Sequence, residues 1–538
     1  MTYSSLSRRK FVSLGLIGGA ASVGAALVGC SPKSPSEQDA PLGDTGSSPY
    51  PQIDLCGRPS MSEIELSAVE AEPITAYDTE ETYDVVVIGA GASGLPAALA
   101  AAEAGASVCV LQKEPKAASQ GASCCYINRE STDDLAIAHL LRHMSDNGDS
   151  RGSWDLNRAW AENCTDALNW FMGHLTEAGY QENEDYKHFP IAKFDYPEGS
   201  ANLNVYIFPK NVGGAIERLA ESTSNMYALK TETPAVQLIS EDNRIAGVYA
   251  KDSQGQIIRV NANKAVILAS GDYQNNDAMV EKYLPDAAMY PRKQINKTGD
   301  GQLMGMMAGA KMQYIGHTKM VHSNTTKGFS RLMQSGTMLA VNELGRRFCA
   351  EDRIFSVRNN ITRNQPNNVW ISILDSKDPI AHESLEEKDQ VQKDFSKLDA
   401  ATPDEGVFKA DTLEDLAEAL SIPADEFLKT VERYNELCAA GGDVDYGKAT
   451  ACMISVDKPP FYAIRRSYCI SAITSGLEVT ADNQVLDTEG NPMPGLYAVG
   501  NCSGPFYGSP DYPMDIPGLS VSRAITSGYL AGKTAAAL

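Results

Sequence analysis

The sequence lacks the patterns by which proteins hold haem or zinc. Its 11 cysteines are scattered over 538 residues, no Cys-x-x-Cys-His is present, and no cysteine–histidine spacing is typical of a zinc site. The adjacent pair Cys124 and Cys125 has apolar neighbours, so we expect it to pack in a core. The sequence therefore gives no metal site and no covalent haem site.

Positive charge is scarce as well. The chain carries 46 lysines and arginines against 69 aspartates and glutamates, which gives a net charge of −23. A charge of this sign argues against nucleic acid and anionic lipid as direct partners. No internal repeat is visible, and the length suffices for two domains with separate cores.

A long apolar run is absent except near the first residues. Ser7–Phe11 contains two arginines and precedes a Gly/Ala-rich apolar stretch from Val12 to Gly29, which predicts a twin-arginine export signal over residues 1–30. Leu27–Cys30 resembles a lipobox, so we expect an extracytoplasmic protein that is lipid-anchored to the cell membrane through Cys30. A simple cleaved signal is the alternative.

The most informative pattern is a glycine-rich loop between two apolar strands. The predicted strand Val85–Ile88 is followed by G-x-G-x-x-G, an Ala-rich helix and a second strand, Ser107–Leu111. The glycines allow a tight turn, backbone approach to a pyrophosphate and close helix packing, and the helix N-terminus favours phosphate. We therefore predict that a dinucleotide binds at Gly89, Ala90, Gly91, Ala92, Ser93 and Gly94.

The residue expected to bind the ribose departs from the usual pattern. An Asp or Glu commonly ends the second strand, whereas this chain has Gln112, followed by Lys113. The amide oxygen of Gln112 can still accept a hydrogen bond from a ribose hydroxyl, although more weakly than a carboxylate would.

The remaining pattern predicts a split nucleotide-binding domain. Residues 31–80 are rich in Ser, Pro, Gly and acidic residues and predict a flexible tether. Apolar strands return at 265–271 and 495–500. We expect the first part of the nucleotide-binding domain at 81–274, an inserted substrate domain at 275–459 and the second part at 460–538.

Several motifs in this order resemble the fumarate-reductase flavoprotein family, which includes urocanate reductases and 3-ketosteroid dehydrogenases. The resemblance covers about residues 82–537 and rests on the glycine loop and on five further segments: Gln120–Ser123, Ala269–Gly271, Thr298–Gly301, Leu344–Phe348 and Pro494–Gly500, with the closing Gly518–Gly532. It implies an α/β fold, with a Rossmann-like FAD-binding domain and an inserted α+β capping domain, and FAD as the cofactor.

The same resemblance implies a set of cofactor contacts beyond the glycine loop. Asn501 stands where the family usually has a glutamate. The implied contacts are Gln112, Lys113, Gly121, Ala122, Ser123, Val236, Asp300, Asn501, Ser520 and Val521.

The substrate residues of the fumarate reductases are only partly present. His317 lies close to the position of their first histidine, but Ala472 replaces the second, and Asp515 aligns with an arginine that clamps a carboxylate. Arg353 lies about two residues before the position of the proton-donating arginine. Because bidentate guanidinium binding of carboxylates is lost, we expect that fumarate is not the substrate.

The segment that replaces this clamp is aromatic and mostly neutral. It includes Tyr507 and Tyr512, and in ketosteroid dehydrogenases a tyrosine and a glycine of this segment grip a ketone. Tyr512, upstream of Gly518, matches that tyrosine with a spacing two residues longer. A phenol can polarise a carbonyl; the alternative is that both tyrosines only pack the loop.

These residues predict an enzyme that reduces an activated C=C bond by hydride transfer from flavin N5, with Tyr512, Arg353 and His317 as catalytic candidates. Electrons would come from a membrane-bound cytochrome or a quinol-linked donor. The alternatives are a ketosteroid-type dehydrogenase and a non-catalytic ligand-binding lipoprotein.

Overall fold

A computed structural model of the chain describes residues 58–197, 199–323, 336–353, 355–377, 397–513 and 515–538. The predicted export signal, the lipobox and residues 31–57 of the predicted tether lie outside these ranges. Within them, no helix combines the length and the apolar character needed to cross a bilayer.

An eight-stranded sheet forms the larger domain. Its strands are β1 (Thr79–Ile88), β2 (Val108–Leu111), β6 (Ala228–Lys230), β7 (Ala235–Glu241), β8 (Arg244–Lys251), β9 (Ile257–Leu268), β16 (Gln484–Leu486) and β17 (Pro492–Ala498). The central order is β16-β17-β9-β1-β2-β6, and a hairpin of β7 and β8 extends the sheet alongside β9. The pairs β1–β2, β1–β9, β2–β6 and β9–β17 are parallel.

Helices cover this sheet because its central strands have apolar residues on both faces, as parallel strands require. A three-stranded sheet of β3 (Ser123–Ile127), β5 (Gly199–Ile207) and β4 (Lys187–Tyr196) lies in the same domain. The helices are α1 (Met61–Ile64), α2 (Gly94–Glu103), α3 (Asp134–Asn147), α4 (Trp154–Glu177), α5 (Val212–Ser222), α6 (Asp277–Tyr283), α7 (Asp300–Met307) and, after the inserted domain, α11 (Leu519–Ala537).

The inserted domain is built on a second sheet of five strands. Its order is β10-β14-β12-β11, with β13 also paired to β14, and all pairs are antiparallel. The strands are β10 (Lys319–Ser323), β11 (Leu339–Val341), β12 (Val369–Leu374), β13 (Val407–Ala410) and β14 (Phe461–Ile473), and the helices are α8 (Phe355–Thr362), α9 (Leu413–Leu420) and α10 (Ala424–Ala440). A short parallel pair, β15 (Leu477–Glu478) and β18 (Ser503–Gly504), follows.

The α/β fold class with an inserted domain is confirmed, but two predicted boundaries are wrong. Residues 461–473 form β14 of the second sheet, so the return to the first domain comes after residue 473 rather than at 460. Residues 58–80 are packed rather than a free tether: Val69 is buried, and the buried Glu63 forms an ion pair with Lys282.

Cys124 and Cys125 lie in β3, and both are free and fully buried. Their burial raises the thiol pKa values, as expected for cysteines that serve in packing.

Candidate active site

The glycine loop between β1 and α2 has the geometry that its sequence predicts. Gly89 has a φ of +106°, and a Cβ there would lie 2.5 Å from the Ala269 carbonyl oxygen. A Cβ at Gly94 would overlap the Gly89 carbonyl oxygen, whereas at Gly91 its closest neighbour would be the Ala118 carbonyl oxygen at 3.3 Å. The first and third glycines therefore close the turn, and the second leaves the backbone open on one side.

The start of α2 is free to bind an anion. Ser93, the N-cap residue, makes no side-chain hydrogen bond to the helix. Leu95 N–H donates to the Gly91 carbonyl oxygen at 3.1 Å and Pro96 has no N–H, so Gly94 N–H is the donor at the helix start that keeps no described acceptor. Gly500 and Gly528 pack against Ser93, where Cβ atoms at these two positions would collide with it. This packing brings the C-terminal helix α11 to the start of α2.

A second glycine loop, residues 118–123, lies beside the first, where Ala118 N–H donates to the Ala90 carbonyl oxygen at 3.3 Å. A Cβ at Gly121 would lie 2.6 Å from Cγ2 of Val521, at the start of α11. The Ala122 carbonyl oxygen accepts from Phe208 N–H at 2.8 Å, and Ser123 begins β3. Beside them, Oε1 of Gln120 is buried without a hydrogen-bond partner in the described chain. A buried acceptor next to two glycine loops fits a cofactor with hydrogen-bond donors, as FAD has.

Gln112 lies where the ribose contact was predicted, at the end of β2. Its Oε1 accepts from Ala90 N–H at 3.4 Å, and its Nε2 donates to the Lys116 carbonyl oxygen at 2.9 Å. The side chain therefore ties the glycine loop to the following turn, and a ribose hydroxyl would use the second lone pair of Oε1.

Lys113 and Asp300, both predicted cofactor contacts, pair with each other. Lys113 Nζ lies 3.0 Å from Asp300 Oδ2 and also donates to Thr298 Oγ1. The Ala68 N–H donates to Asp300 Oδ1 at 3.5 Å. The pair joins β2 to the start of α7, a link between residues 187 positions apart that the sequence did not reveal.

The other predicted cofactor residues fall into two groups. Asn501, Ser520 and Val521 lie by the glycine loops, because the turn Gly500–Cys502 and the start of α11 pack there. Val236, in β7, belongs to a separate small apolar cluster: it is buried with Ile239 and Tyr249, and its carbonyl oxygen accepts from Glu70 N–H at 3.0 Å.

His317 is fixed on both ring nitrogens. The Tyr273 hydroxyl lies 2.5 Å from Nδ1, and the Gln313 carbonyl oxygen lies 2.6 Å from Nε2. The ring stacks on Tyr283, and burial lowers the pKa of His317 to about 4. A neutral histidine whose single N–H already donates to a backbone oxygen is poorly suited to deliver a proton. These contacts favour a packing role for His317, and its catalytic role stays a prediction.

Tyr512 lies at the N-terminus of α11. Its hydroxyl accepts from Ser520 N–H at 2.9 Å, and its ring packs on Tyr507 with centroids 5.2 Å apart. Burial raises the pKa of Tyr512 well above its usual value, so the phenol stays protonated. The loop is anchored because Tyr512 N–H donates to the Lys319 carbonyl oxygen, and the buried Lys319 pairs with Asp511 at 3.1 Å.

Arg353 is not brought to Tyr512 or His317 by any contact among the described residues. It is exposed in the turn before α8, where its backbone oxygen accepts from Arg358 Nε at 2.6 Å. Its catalytic role stays a prediction.

Asp515 forms a pair that the sequence did not predict. His143 Nε2 lies 2.6 Å from Asp515 Oδ2, and Asn147 Nδ2 lies 3.4 Å from the same oxygen. Asp515 and its partners are more than 360 positions apart in the chain, so no local pattern could have revealed them.

Comparisons with known proteins agree with this geometry. The sequence profile of the FAD binding domain family matches residues 84–509. The chain is 28% identical over 495 residues to a vinyl phenol reductase from Lactiplantibacillus plantarum, which covers 85% of this chain and 97% of the relative. It is 27% identical over 477 residues to a urocanate reductase from Eggerthella lenta, and the match covers 85% of this chain and 75% of that relative.

The fold is also that of a solved flavoprotein. The open conformation of a flavocytochrome c3 fumarate reductase superposes with a TM-score of 0.67 at 21% identity, covering 89% of this chain and 87% of that chain. At this identity the likeness describes the fold alone.

Proposed function

The chain belongs to the FAD binding domain family and is an FAD-dependent oxidoreductase, and we propose that it reduces an activated C=C bond of an enone or of an α,β-unsaturated acid other than fumarate. The observation that carries the proposal is the combination, in one loop, of a protonated Tyr512 and an aspartate at position 515. The names of the two relatives, a vinyl phenol reductase and a urocanate reductase, support the same kind of reaction.

The glycine loops and the starts of α2 and α11 are the groups that would hold FAD. Bound there and reduced by two electrons, the cofactor would supply a hydride to one carbon of the alkene. The chain would contribute Gly94 N–H and the positive end of the α2 dipole for the pyrophosphate, and Gln112 for the ribose.

Tyr512 would activate the substrate. Its oxygen accepts from Ser520 N–H, and no described residue accepts its own hydrogen. That O–H can therefore donate to a carbonyl oxygen on which negative charge develops as hydride is added. A fixed and buried donor needs no reorganisation when the reaction occurs.

The charge near Tyr512 disfavours a small dicarboxylate. Asp515 pairs with His143, and no described lysine or arginine pairs with Asp515. A guanidinium clamp is thus replaced by a carboxylate that is hydrogen-bonded to a histidine, which removes the two fixed N–H donors and the permanent positive charge on which bidentate carboxylate binding depends.

Electrons would enter from outside the chain. We propose export by the twin-arginine route, anchoring through Cys30 and reduction by a membrane-bound cytochrome or a quinol-linked donor. The N-terminal motif and the absence of Cys-x-x-Cys-His from the sequence support this arrangement.

The reaction is tested by anaerobic oxidation of a reduced viologen dye by purified protein. We expect oxidation with enones or aryl acrylates and none with fumarate. Oxidation with fumarate at a comparable rate would overturn the substrate assignment. Dye reduction with a saturated ketone, and no dye oxidation, would reverse the direction to that of a dehydrogenase.

The role of Tyr512 is tested by Tyr512→Phe. Loss of one donor to a developing oxyanion lowers kcat about 10²–10³-fold, and we expect this loss with an enone while the flavin content is unchanged. Tyr497→Phe, a buried tyrosine of β17, is the matched control. An unchanged kcat in Tyr512→Phe would assign Tyr512 to packing.

A further inference from the structure

A small cavity lies in the first domain, on the side of α11 that packs on α4. Arg523 and Thr526 line it from α11, Trp160 lines it from α4, and Phe506 lines it from the segment that precedes Tyr512. Positions 523 and 526 share one face of α11, because residues three apart in a helix are neighbours. The cavity has a volume of about 20 Å³, which is room for one particle near the size of a water molecule.

Arg523 brings a buried positive charge to this cavity. The residue is only 4% exposed, and its Nη2 donates to the carbonyl oxygen and to Oγ of Ser503 at 2.7 and 2.9 Å. The guanidinium carbon lies 4.9 Å from the centroid of the Phe506 ring. Nη1 has no hydrogen-bond partner in the described chain, so one donor edge of the guanidinium stays open.

The charge of Arg523 has no anionic partner among the described residues. Burial lowers the pKa of Arg523, and no described carboxylate opposes this shift. A guanidinium nevertheless stays protonated in proteins. A buried charge without a partner destabilises a fold, and proteins commonly pair such a charge with an ion of opposite sign.

The hydroxyl of Thr526 is the second open donor on the cavity. Thr526 is 1% exposed, and its Oγ1 has no hydrogen-bond partner in the described chain. A threonine inside a helix commonly donates to the carbonyl oxygen four residues before it, here that of Ser522, and this bond is not made. Trp160 offers its ring rather than a donor, because its Nε1 already donates to Ser522 Oγ at 2.8 Å.

We propose that this cavity binds one small monovalent anion of the size of chloride, held by Nη1 of Arg523 and Oγ1 of Thr526. The anion accepts both open hydrogen bonds and balances the guanidinium charge, whereas a water molecule would satisfy the hydrogen bonds alone. The volume of the cavity excludes sulfate and organic acids. Neither Arg523 nor Thr526 is a predicted cofactor contact, so the inference is independent of the proposed reaction.

The first measurement is thermal unfolding of the flavin-loaded protein while sodium chloride replaces sodium gluconate at constant ionic strength. A ligand that binds the folded chain alone raises the unfolding temperature as its concentration increases. We therefore expect wild type to gain stability relative to Arg523→Met, with a response that saturates. General effects of the salt act on both proteins and cancel in this comparison.

A second variant measures the contribution of the hydroxyl. Thr526→Val keeps the shape of the side chain and loses the donor. Because a hydrogen bond to a charged group changes an equilibrium by a factor of about ten or more, the chloride concentration at half response should rise by at least about tenfold. If Arg523→Met does not fold, Thr526→Val carries the test.

The matched control is Lys533→Met. It removes a positive charge from an exposed position of the same helix, and it should keep the chloride response of wild type. A control that loses the response as Arg523→Met does would assign the effect to the overall charge of α11 and would overturn the site.

Crystals grown with bromide in place of chloride locate the anion. We expect one anomalous peak in the cavity, beside Arg523 and Thr526. A cavity that holds water alone would overturn the inference, as would a chloride response that is equal in wild type, Arg523→Met and Thr526→Val. These results leave the proposed reduction untouched, since the dye assay tests it separately.

Discussion

At the scale of single residues, Gly91 is the position where backbone and cofactor would meet. Gly91→Val should abolish FAD binding, because the branched side chain would block the approach of the backbone to the pyrophosphate. The measurement is the yellow absorbance of the purified protein. Gly442→Val, where a Cβ meets nothing within 4 Å, should stay yellow, and flavin retained by Gly91→Val would contradict our placement of the site.

His317 gives a prediction about pH. The pKa of its folded form is about 4, so the unfolded chain, with a pKa near the usual 6.5, binds more protons and stability falls as pH drops between these values. The loss reaches about 3 kcal/mol below pH 4, at about 1.36 kcal/mol per pKa unit.

His317→Gln should lack this part of the acid sensitivity and should keep turnover of the same order. Urea unfolding across this pH range measures the difference in the free energy of unfolding between this variant and wild type. This difference isolates His317 from other groups, such as His322, for which burial also lowers the pKa to about 4. Parallel stability curves would show that His317 titrates normally, and loss of turnover in a folded variant would support its catalytic role.

Residue patterns in the sequence predicted some contacts and missed others for a physical reason. The roles of Gly89, Gly91 and Gly94 follow from local backbone geometry, which a short motif determines. The pairs Lys113–Asp300 and His143–Asp515 join distant positions, so only the folded chain brings them together. His317 was assigned to catalysis because a motif does not reveal that Tyr273 and Gln313 occupy its ring.

At the scale of elements, the packing of α2 against α11 holds the cofactor site together. A Cβ at Gly532 of α11 would overlap the Ala97 carbonyl oxygen of α2. Gly532→Val should therefore separate the two helices and lower the free energy of unfolding by about 1–3 kcal/mol or more. Thermal unfolding of the flavin-loaded protein measures this loss.

Gly173→Val is the control for this helix packing. Gly173 lies within α4, and a Cβ there meets nothing within 4 Å. Because valine has a slightly better helix propensity than glycine, this variant should be as stable as wild type to within about 1 kcal/mol. Equal destabilisation by the two variants would show that the α2–α11 contact is not tight.

Elements with strong local patterns were also the ones predicted correctly. The strand β1, the helices α2 and α4 and the start of α11 agree with the apolar periodicity of their sequences. The strand β14 was assigned to the wrong domain, because its apolar pattern is equally compatible with either sheet. Only pairing with β10, β12 and β13 decides its place.

At the scale of the whole molecule, the proposed route to the cell surface depends on the first 30 residues. Replacing Arg8 and Arg9 with lysine should keep the protein in the cytoplasm, because the export signal requires both arginines. Cell fractionation followed by detection of the flavoprotein measures the distribution. Cys30→Ala should leave export intact but release the protein from the membrane, and membrane retention of this variant would contradict the lipid anchor.

The strand order of the first sheet has a consequence for how the protein is made. Its central strands come from residues 79–88, 257–268 and 492–498, and the last helix, 519–537, packs on the first glycine loop. A growing chain therefore cannot complete the cofactor site until residues 519–537 have left the ribosome. Flavin loading must follow synthesis of that helix, so a transport route that accepts folded cargo suits the proposed export better than one that threads an unfolded polypeptide.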